Sequence, residues 1–335
     1  MKKTKYKAAV IGLGRIGAQE ELYRKEVQPG THAGAFSGNS RIILAGLADL
    51  DPKKLAAAKK LFPKALLFSS AEKMLKEVKP DIVSVAVPVE GHLPMVELAS
   101  QYGARAIICE KPITPTIGQA KQMIGVCKKS NSLLFVNHTR RFDPLLNKVR
   151  DEIQAGKIGK LVQTTGYYYN GLFNNGTHLV DLLRFFLGDI DWLWAKENKE
   201  TRKAELINDL NVDAVLHFKS GVRAVLQSLP ANYVLMEVYF YGQKGAFFLR
   251  DSCYKVEYRK LAPHKYYNGY EQLSPAKQSK GEIRSFMPSM AENVVRCLDS
   301  KAKPASSGQD GLAVLKVLDC LKQSARQGGK IIKLN

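Results

Sequence analysis

Short apolar runs punctuate the first 137 residues, at Ala8–Ile11, Ile42–Ala48, Ile82–Val87, Ala106–Cys109 and Leu133–Val136. Each is too short for a buried helix and is bounded by Gly, Pro, Asp or Asn, so each predicts a β-strand. Amphipathic stretches lie between them, at Pro52–Leu61, Ser70–Val78, Pro94–Tyr102 and Thr116–Lys129. Pro52 suits a helix first turn. The alternation predicts βαβ units, hence a parallel sheet with helices on both faces. After Asn137 the pattern changes. Leu161–Tyr169, Val212–Phe218, Val222–Gln227, Tyr233–Tyr241, Ala246–Leu249 and Cys253–Tyr258 predict strands. Lys219-Ser220-Gly221 and Gly242-Gln243-Lys244-Gly245 read as hairpin turns, which makes this sheet mostly antiparallel. Helices are predicted near Glu282–Leu298 and Gln309–Arg326, and the polar, Tyr-rich segment Ala262–Lys280 is predicted as a long loop. The fold class is α/β: a nucleotide-type domain over residues 1–137, then an α+β domain with a large, mostly antiparallel sheet over 138–335.

A chain of 335 residues fits two domains of that kind. It is 45% apolar and 24% charged, an ordinary globular composition that excludes collagen, coiled coil and wholesale disorder. No apolar run approaches the ~18 residues of a membrane span. Lys and Arg total 51 against 31 Asp and Glu, a net charge of +20. The excess is even: residues 1–137 carry 21 basic and 11 acidic side chains, and 138–335 carry 30 and 20. Only Lys2, Lys3, Lys5 and Lys7 cluster. This reads as a soluble basic surface, or as one suited to a phosphate-bearing substrate or cofactor. Nucleic acid is not expected, because no basic arm or recognition motif is present. The five cysteines are odd in number and form no CxxC, so reduced thiols in a cytoplasm and no metal site are expected. The N-terminal apolar run ends at Arg15 without a cleavage site, so it reads as a first strand and not as a signal peptide.

Gly12-Leu13-Gly14-Arg15-Ile16-Gly17 is a GxGxxG that follows a predicted strand and opens a helix-compatible stretch. That is the context in which such a loop binds a dinucleotide. Gly12 permits the tight turn, Gly14 the approach of a pyrophosphate, and Gly17 close packing of helix on strand. Helix N–H groups then face the diphosphate. A purely structural turn would use the same residues. Asp49 ends the second predicted strand; a carboxylate there accepts from the adenosine ribose hydroxyls and repels a 2′-phosphate, which favours NAD over NADP. Helix capping is the competing role for Asp49, shared with Asp51. The gap from Gly17 to Asp49 exceeds the usual ~20 residues, so a longer helix and loop must fill it.

Cys109-Glu110-Lys111-Pro112 follows the fifth predicted strand. In open parallel sheets ligands sit beyond the carboxyl ends of strands, so Glu110 and Lys111 should face the cofactor, unless they form only a surface ion pair. Together, the GxGxxG, the strand-end Ala48-Asp49, Val87-Pro88 with His92, and Glu110-Lys111-Pro112 resemble the glucose–fructose oxidoreductase/inositol dehydrogenase/MocA family. The interdomain segment Asn137–Pro144, the Gly176-Thr177-His178…Asp181 stretch and the tail Gly308–Asn335 resemble it as well.

The resemblance implies a Rossmann NAD-binding domain and an oxidoreductase acting on a secondary hydroxyl of a sugar, cyclitol or nucleotide sugar. It implies Lys111 as the acid/base, with Pro112 in a cis bond, and Glu110 on the nicotinamide ribose. Pro88, His92 and Asn137 would join Arg15, Ile16 and the loop glycines around the cofactor. His178 would hydrogen-bond the reacting hydroxyl and share in proton transfer, while Asp181, on the same helix face, would support it. Removing a hydride from an alcohol carbon requires a base for the hydroxyl proton. A lysine must be depressed toward roughly 7–8 to serve, and Arg140 and Arg141 are cationic neighbours in sequence pattern. Arg141 is also a candidate substrate contact. Many family members carry Asp where this chain has Asn174. An amide cannot take a proton, so the acid/base role falls to Lys111 and Asn174 orients a hydroxyl. Tyr167 and Tyr169 share one strand face and suit a sugar ring; sheet packing is their alternative role. Homo-oligomers are expected, as dimer or tetramer. A non-catalytic NAD-binding regulator is the alternative function, which would have no need of Lys111 or His178.

Overall fold

The computed structural model describes residues 5–22, 29–201, 209–279, 286–300 and 302–334. Lys2 and Lys3 of the basic cluster, Lys280 of the predicted loop and residues 282–285 of a predicted helix lie outside them. The chain forms two compact units, Met1–Asp143 with Arg284–Leu315, and Pro144–Ile283 with Lys316–Asn335.

The first unit alternates strands and helices in chain order: β1 (Tyr6–Ile11), α1 (His32–Gly38), β2 (Ile42–Ala48), α2 (Pro52–Leu61), β3 (Leu66–Phe68), α3 (Ala71–Val78), β4 (Ile82–Val85), α4 (His92–Gln101), β5 (Ala106–Cys109), α5 (Ile117–Lys129) and β6 (Leu133–Val136). The sheet is parallel in the order β3-β2-β1-β4-β5-β6. Strand order reverses between β1 and β4, which opens the crevice where such sheets bind dinucleotides. All four residues of β4 and of β5 are buried. Strands covered on both faces read as continuous apolar runs, which is why they were visible in sequence. Local signals set the helix starts. Asp51, Ser70 and Thr116 each accept a backbone N–H of the first turn of α2, α3 and α5, and Pro52 is the first residue of α2.

The second unit starts with α6 (Pro144–Gln154), β7 (Leu161–Tyr169), α7 (Thr177–Leu187) and β8 (Ile190–Glu197). It continues through β9 (Val212–Phe218), β10 (Arg223–Leu229), β11 (Glu237–Gly242), β12 (Gly245–Arg250), β13 (Lys255–Pro263), β14 (Glu271–Leu273) and β15 (Lys277–Ser279). In chain order α8 (Met287–Ser300), α9 (Gly308–Arg326) and β16 (Ile332–Lys333) follow; α8 lies in the first unit, the division falls within α9, and β16 lies in the second. The second sheet has ten strands, ordered β14-β13-β12-β11-β7-β10-β9-β8-β16 with β15 on β13. β7 and β10 pair in parallel; the other described pairs are antiparallel. Gly166 of β7 lets α7 approach, since a Cβ there would lie 2.7 Å from Leu179.

Three expectations change. The segment predicted as a loop over Ala262–Lys280 contains the end of β13, all of β14 and all of β15, because β13 pairs with both short strands. Helix α6 and strands β3 and β8 lie outside the predicted elements, and the helix expected in the Gly17–Asp49 gap is α1, which starts only at His32. And α8 belongs to the first unit, where Met287, Met290, Ala291 and Val294 join the core formed by Phe36, Leu47 and Phe135.

Candidate functional site

The candidates divide between the units. In the first, the loop after β1 is built on glycine. Gly12 has φ +90°, and a Cβ there would lie 2.7 Å from the Ala86 carbonyl group. A Cβ on Gly17 would lie 2.0 Å from Gly12 O, whereas around Gly14 nothing lies within 4 Å. The loop is therefore tight behind and open in front, the cradle a pyrophosphate requires. Asp49 Oδ2 accepts from Leu13 N at 2.7 Å and Oδ1 from Asp51 N at 2.9 Å. A carboxylate has about four acceptor sites, so these bonds orient it and leave capacity for ribose hydroxyls. These residues fit a dinucleotide. Arg15 is largely exposed and pairs with the buried Glu20.

The helix expected to open at this loop is interrupted. Among described residues a turn and a short 3-10 segment, Gln19–Leu22, follow Gly17, and α1 starts only at His32. Yet His32 N donates to Ile16 O (3.1 Å) and Ala33 N to Gly17 O (3.0 Å). Those bonds join residues 16 apart, where a continuous α-helix joins residues 4 apart. Twelve residues are thus inserted in the helical register. That insertion accounts for the long Gly17–Asp49 gap. Thr31 caps the resumed helix, accepting from Gly34 N at 3.0 Å, and Glu21 Oε1 accepts from Gly30 N and Thr31 N.

The resumption places His32 against Glu110. His32 is fully buried, and its Nε2 lies 2.9 Å from Glu110 Oε1. Asn137 Nδ2 donates to the same oxygen at 2.6 Å, and Lys111 N to Oε2 at 3.2 Å. Burial pushes the Glu110 carboxyl up, but the His32 bond and charge, the Asn137 amide and Lys111 outweigh it and hold the carboxyl at about 2. Glu110 is therefore a fixed anion beneath the loop that carries Lys111. The Lys111–Pro112 peptide is cis, as the resemblance implied, and Lys111 is half-buried. His92 is buried with carbonyls at both ring nitrogens: Val87 O lies 3.0 Å from Nε2, and Pro112 O and Ile113 O lie 3.1 and 3.2 Å from Nδ1. It ties the segment of half-buried Val87 and exposed Pro88 to the Lys111 loop. Arg141 is also buried, and its Nη1 donates to Asp310 at 2.8 Å.

In the second unit, Leu172–Gly176 forms one π-helical turn that leads into α7. Asn174 lies in that turn, and α7 carries the half-buried His178 and the buried Asp181. Four successive backbone N–H groups before α7 are taken by residues 209–211. Gly171 N donates to Asn211 Oδ1 (2.9 Å), Leu172 N to Leu210 O (2.8 Å), Phe173 N to Asp209 Oδ1 (2.9 Å) and Asn174 N to Asp209 Oδ2 (2.9 Å). Tyr167 and Tyr169 do share a face, but it is the face opposite α7. Gly166 and the buried Tyr168 face the helices, and Tyr167 stacks edge-on with Tyr239 at 5.9 Å. The structure thus groups Tyr167 with a row of sheet aromatics, away from His178. Two residues of the site, His32 and Asp209, were missed. His32 was hidden by the insertion. Asp209 had no signal, because what it binds is backbone.

No group of three or more His, Cys, Asp or Glu among the described residues could hold a metal ion. No helix among them is long and apolar enough to cross a membrane.

Comparison with known proteins gives two family matches. The oxidoreductase family, NAD-binding Rossmann fold, matches residues 6–138, and the oxidoreductase family, C-terminal alpha/beta domain, matches residues 150–334. A D-apiose dehydrogenase of Paraburkholderia graminis is 24% identical, over 97% of this chain and 88% of its own length. An inositol 2-dehydrogenase of Rhizobium meliloti is 25% identical, over 96% and 97%. Among solved structures, the WlbA dehydrogenase of Bordetella pertussis, in complex with NADH and UDP-GlcNAcA, superposes with a TM-score of 0.81 at 22% identity, covering 100% of this chain and 99% of that one.

Proposed function

Because this chain belongs to the oxidoreductase family with an NAD-binding Rossmann fold and a C-terminal α/β domain, we propose that it is an NAD-dependent dehydrogenase of a polyhydroxylated ring. The hydride moves between nicotinamide and a secondary hydroxyl or ketone of a sugar, cyclitol or nucleotide sugar. The observation that carries the reading is Lys111, half-buried at the carboxyl end of β5 and braced from below by the Glu110–His32–Asn137 cluster. Similarity to dehydrogenases named for inositol and apiose supports the substrate class.

Bound NAD supplies the hydride acceptor. In oxidation the Lys111 amine takes the hydroxyl proton; in reduction its ammonium gives that proton back to the ketone oxygen. His178 and Asn174 hold substrate hydroxyls, and Asp181 backs the same helix face. Asn174 cannot relay a proton, which leaves that task with Lys111. Asp49 accepts from the adenosine ribose and disfavours a 2′-phosphate, so NAD is preferred to NADP. The buried free thiols suit a reducing compartment.

The chain also assembles with copies of itself through the sheet face opposite α7. That face carries Tyr167, Tyr239, Tyr241 and Phe248 in edge-to-face contact. Glu237, Arg250, Glu257 and Arg259 interleave beside them. Such mixed charge is self-complementary across a two-fold axis.

The test is nicotinamide absorbance during incubation with NAD and a panel of myo-inositol, free aldoses and UDP-sugars. Turnover with one class is expected. Protein that binds NAD yet turns over none of the three would overturn the proposal.

A further inference from the structure

We propose that Asp209 is a positioning residue for the substrate turn: together with Leu210 and Asn211 it forms a strap that fixes Asn174 and the start of the helix bearing His178. The inference rests on the substrate role proposed above for Asn174 and His178. The first N–H groups of any helical segment lack partners within the segment. Here neither the π turn nor α7 has a side-chain cap of its own. The amides of residues 171–174 are instead filled, one after another, by residues 209–211. Asp209 supplies both oxygens: Phe173 N donates to Oδ1 at 2.9 Å and to Oδ2 at 3.1 Å, and Asn174 N donates to Oδ2 at 2.9 Å. Bonds from N–H to a carboxylate are the strong kind.

The strap is itself anchored. The Tyr168 hydroxyl donates to Val212 O at 2.9 Å and accepts from Val212 N at 2.7 Å. Asn211 Nδ2 donates to Thr201 O at 2.7 Å, and Asn198 N donates to Asn211 O at 2.9 Å. From above, Lys322 lies 5.5 Å from the Phe173 ring centre. The strap thus joins the 171–174 segment to Tyr168 of β7 and to residues 198–201.

The chemistry of Asp209 separates positioning from plain stability. Burial raises its carboxyl above the ordinary value, against the Phe173, Asn174 and Leu172 amides and Lys322, which lower it. The ionised group is held in the fold against the burial penalty, so it stabilises less than its hydrogen bonds suggest.

Asp209→Asn and Asp209→Ala are compared with the wild type on whichever member of the panel turns over. Asn keeps one acceptor and presents its NH2 group to the other amide. The expected result is a fall in kcat/KM of about tenfold for Asn, which keeps one neutral acceptor, and about a hundredfold for Ala, which keeps none. KM for NAD is unchanged, and Asp209→Asn keeps its melting temperature. Amide exchange at residues 171–174, read without substrate, speeds up in both variants. An unchanged kcat/KM per folded molecule, with only a lower melting temperature, overturns the proposal, as does unchanged exchange at those amides. The exchange measurement needs no turnover, so a failure of the dehydrogenase reading shows separately, as a wild type inactive on the whole panel. If Asp209→Ala does not fold, Asp209→Asn decides alone.

Discussion

Glu110 is a carboxylate whose neighbours outweigh its burial, and its consequences are local. Its folded value, about 2, lies below the ~4.3 of an unfolded glutamate. A depressed value contributes stability that is fully present above the unfolded value and is lost as pH falls through the folded one. Glu110→Gln should therefore be less stable than wild type at pH 7, on the order of 2–3 kcal/mol. The difference should close between about pH 4 and pH 2. Denaturant melts at stepped pH check this, and a constant difference would mean that the His32 and Asn137 bonds do not hold the charge. Lys111 gives a second outcome at this scale. Lys111→Ala should lower kcat by about 10²–10⁴-fold, the range of a lost general acid/base. NAD affinity should change little, as titration of the cofactor's fluorescence would show. Full turnover in that variant would move the proton to another group. Of these residues, Lys111 and Glu110 were legible because a charged pair ended a predicted strand. His32 was not: it stands fifteen residues past Gly17 in the chain and reaches Glu110 only because helical bonding resumes across the insertion.

At the scale of elements, the loop after β1 separates two jobs of glycine. Gly17 is packed against Gly12 O, whereas Gly14 faces open space. Gly17→Ala should destabilise the unit and reduce NAD binding together. Gly14→Ala should leave the melting temperature within about 1 °C, because surface changes that touch nothing move stability little, and still weaken NAD more than tenfold. Thermal melts with and without NAD separate the two, and equal behaviour of both variants would show that the loop has no open face. Elements with a single rule were readable. β4, β5 and β6 are short apolar runs, and α2 starts at Asp51-Pro52 by capping and φ restriction. The β14 and β15 strands were not readable. Each has three residues, too few to show an alternation, and each exists because β13 offers its edge.

For the whole molecule, the even +20 charge gives solubility and an attraction for anions, not a fold. The proposed self-association belongs to this scale. Phe248→Glu places a new acid in the aromatic row of the second sheet, beside the Arg259 contact at 5.4 Å. It should shift the particle from an assembly toward the 37.2 kDa chain, measured by light scattering after gel filtration, while each unit stays folded. A wild type that already runs at the mass of one chain would remove the assembly. Asp49→Ala is a contrasting change: it should weaken NAD and narrow its margin over NADP without altering particle mass, and an unchanged margin would place ribose recognition elsewhere.

The sequence by itself determined the parallel and mostly antiparallel halves, the tight glycine loop after β1, and the places of Asp49 at the end of β2 and of Glu110-Lys111-Pro112 at the end of β5. Each is specified over a few neighbouring residues, by periodicity, capping or the φ that glycine allows. Only tertiary structure decided which partners these residues meet. Tyr167 turned to a row of sheet aromatics because strand register, not composition, chooses a face. His32 came to Glu110 across an inserted segment. Asp209, 35 residues from Asn174, takes a backbone N–H that every residue but proline carries. A bond to the backbone leaves no mark on residue identity at the far end, so no spacing rule could have announced it.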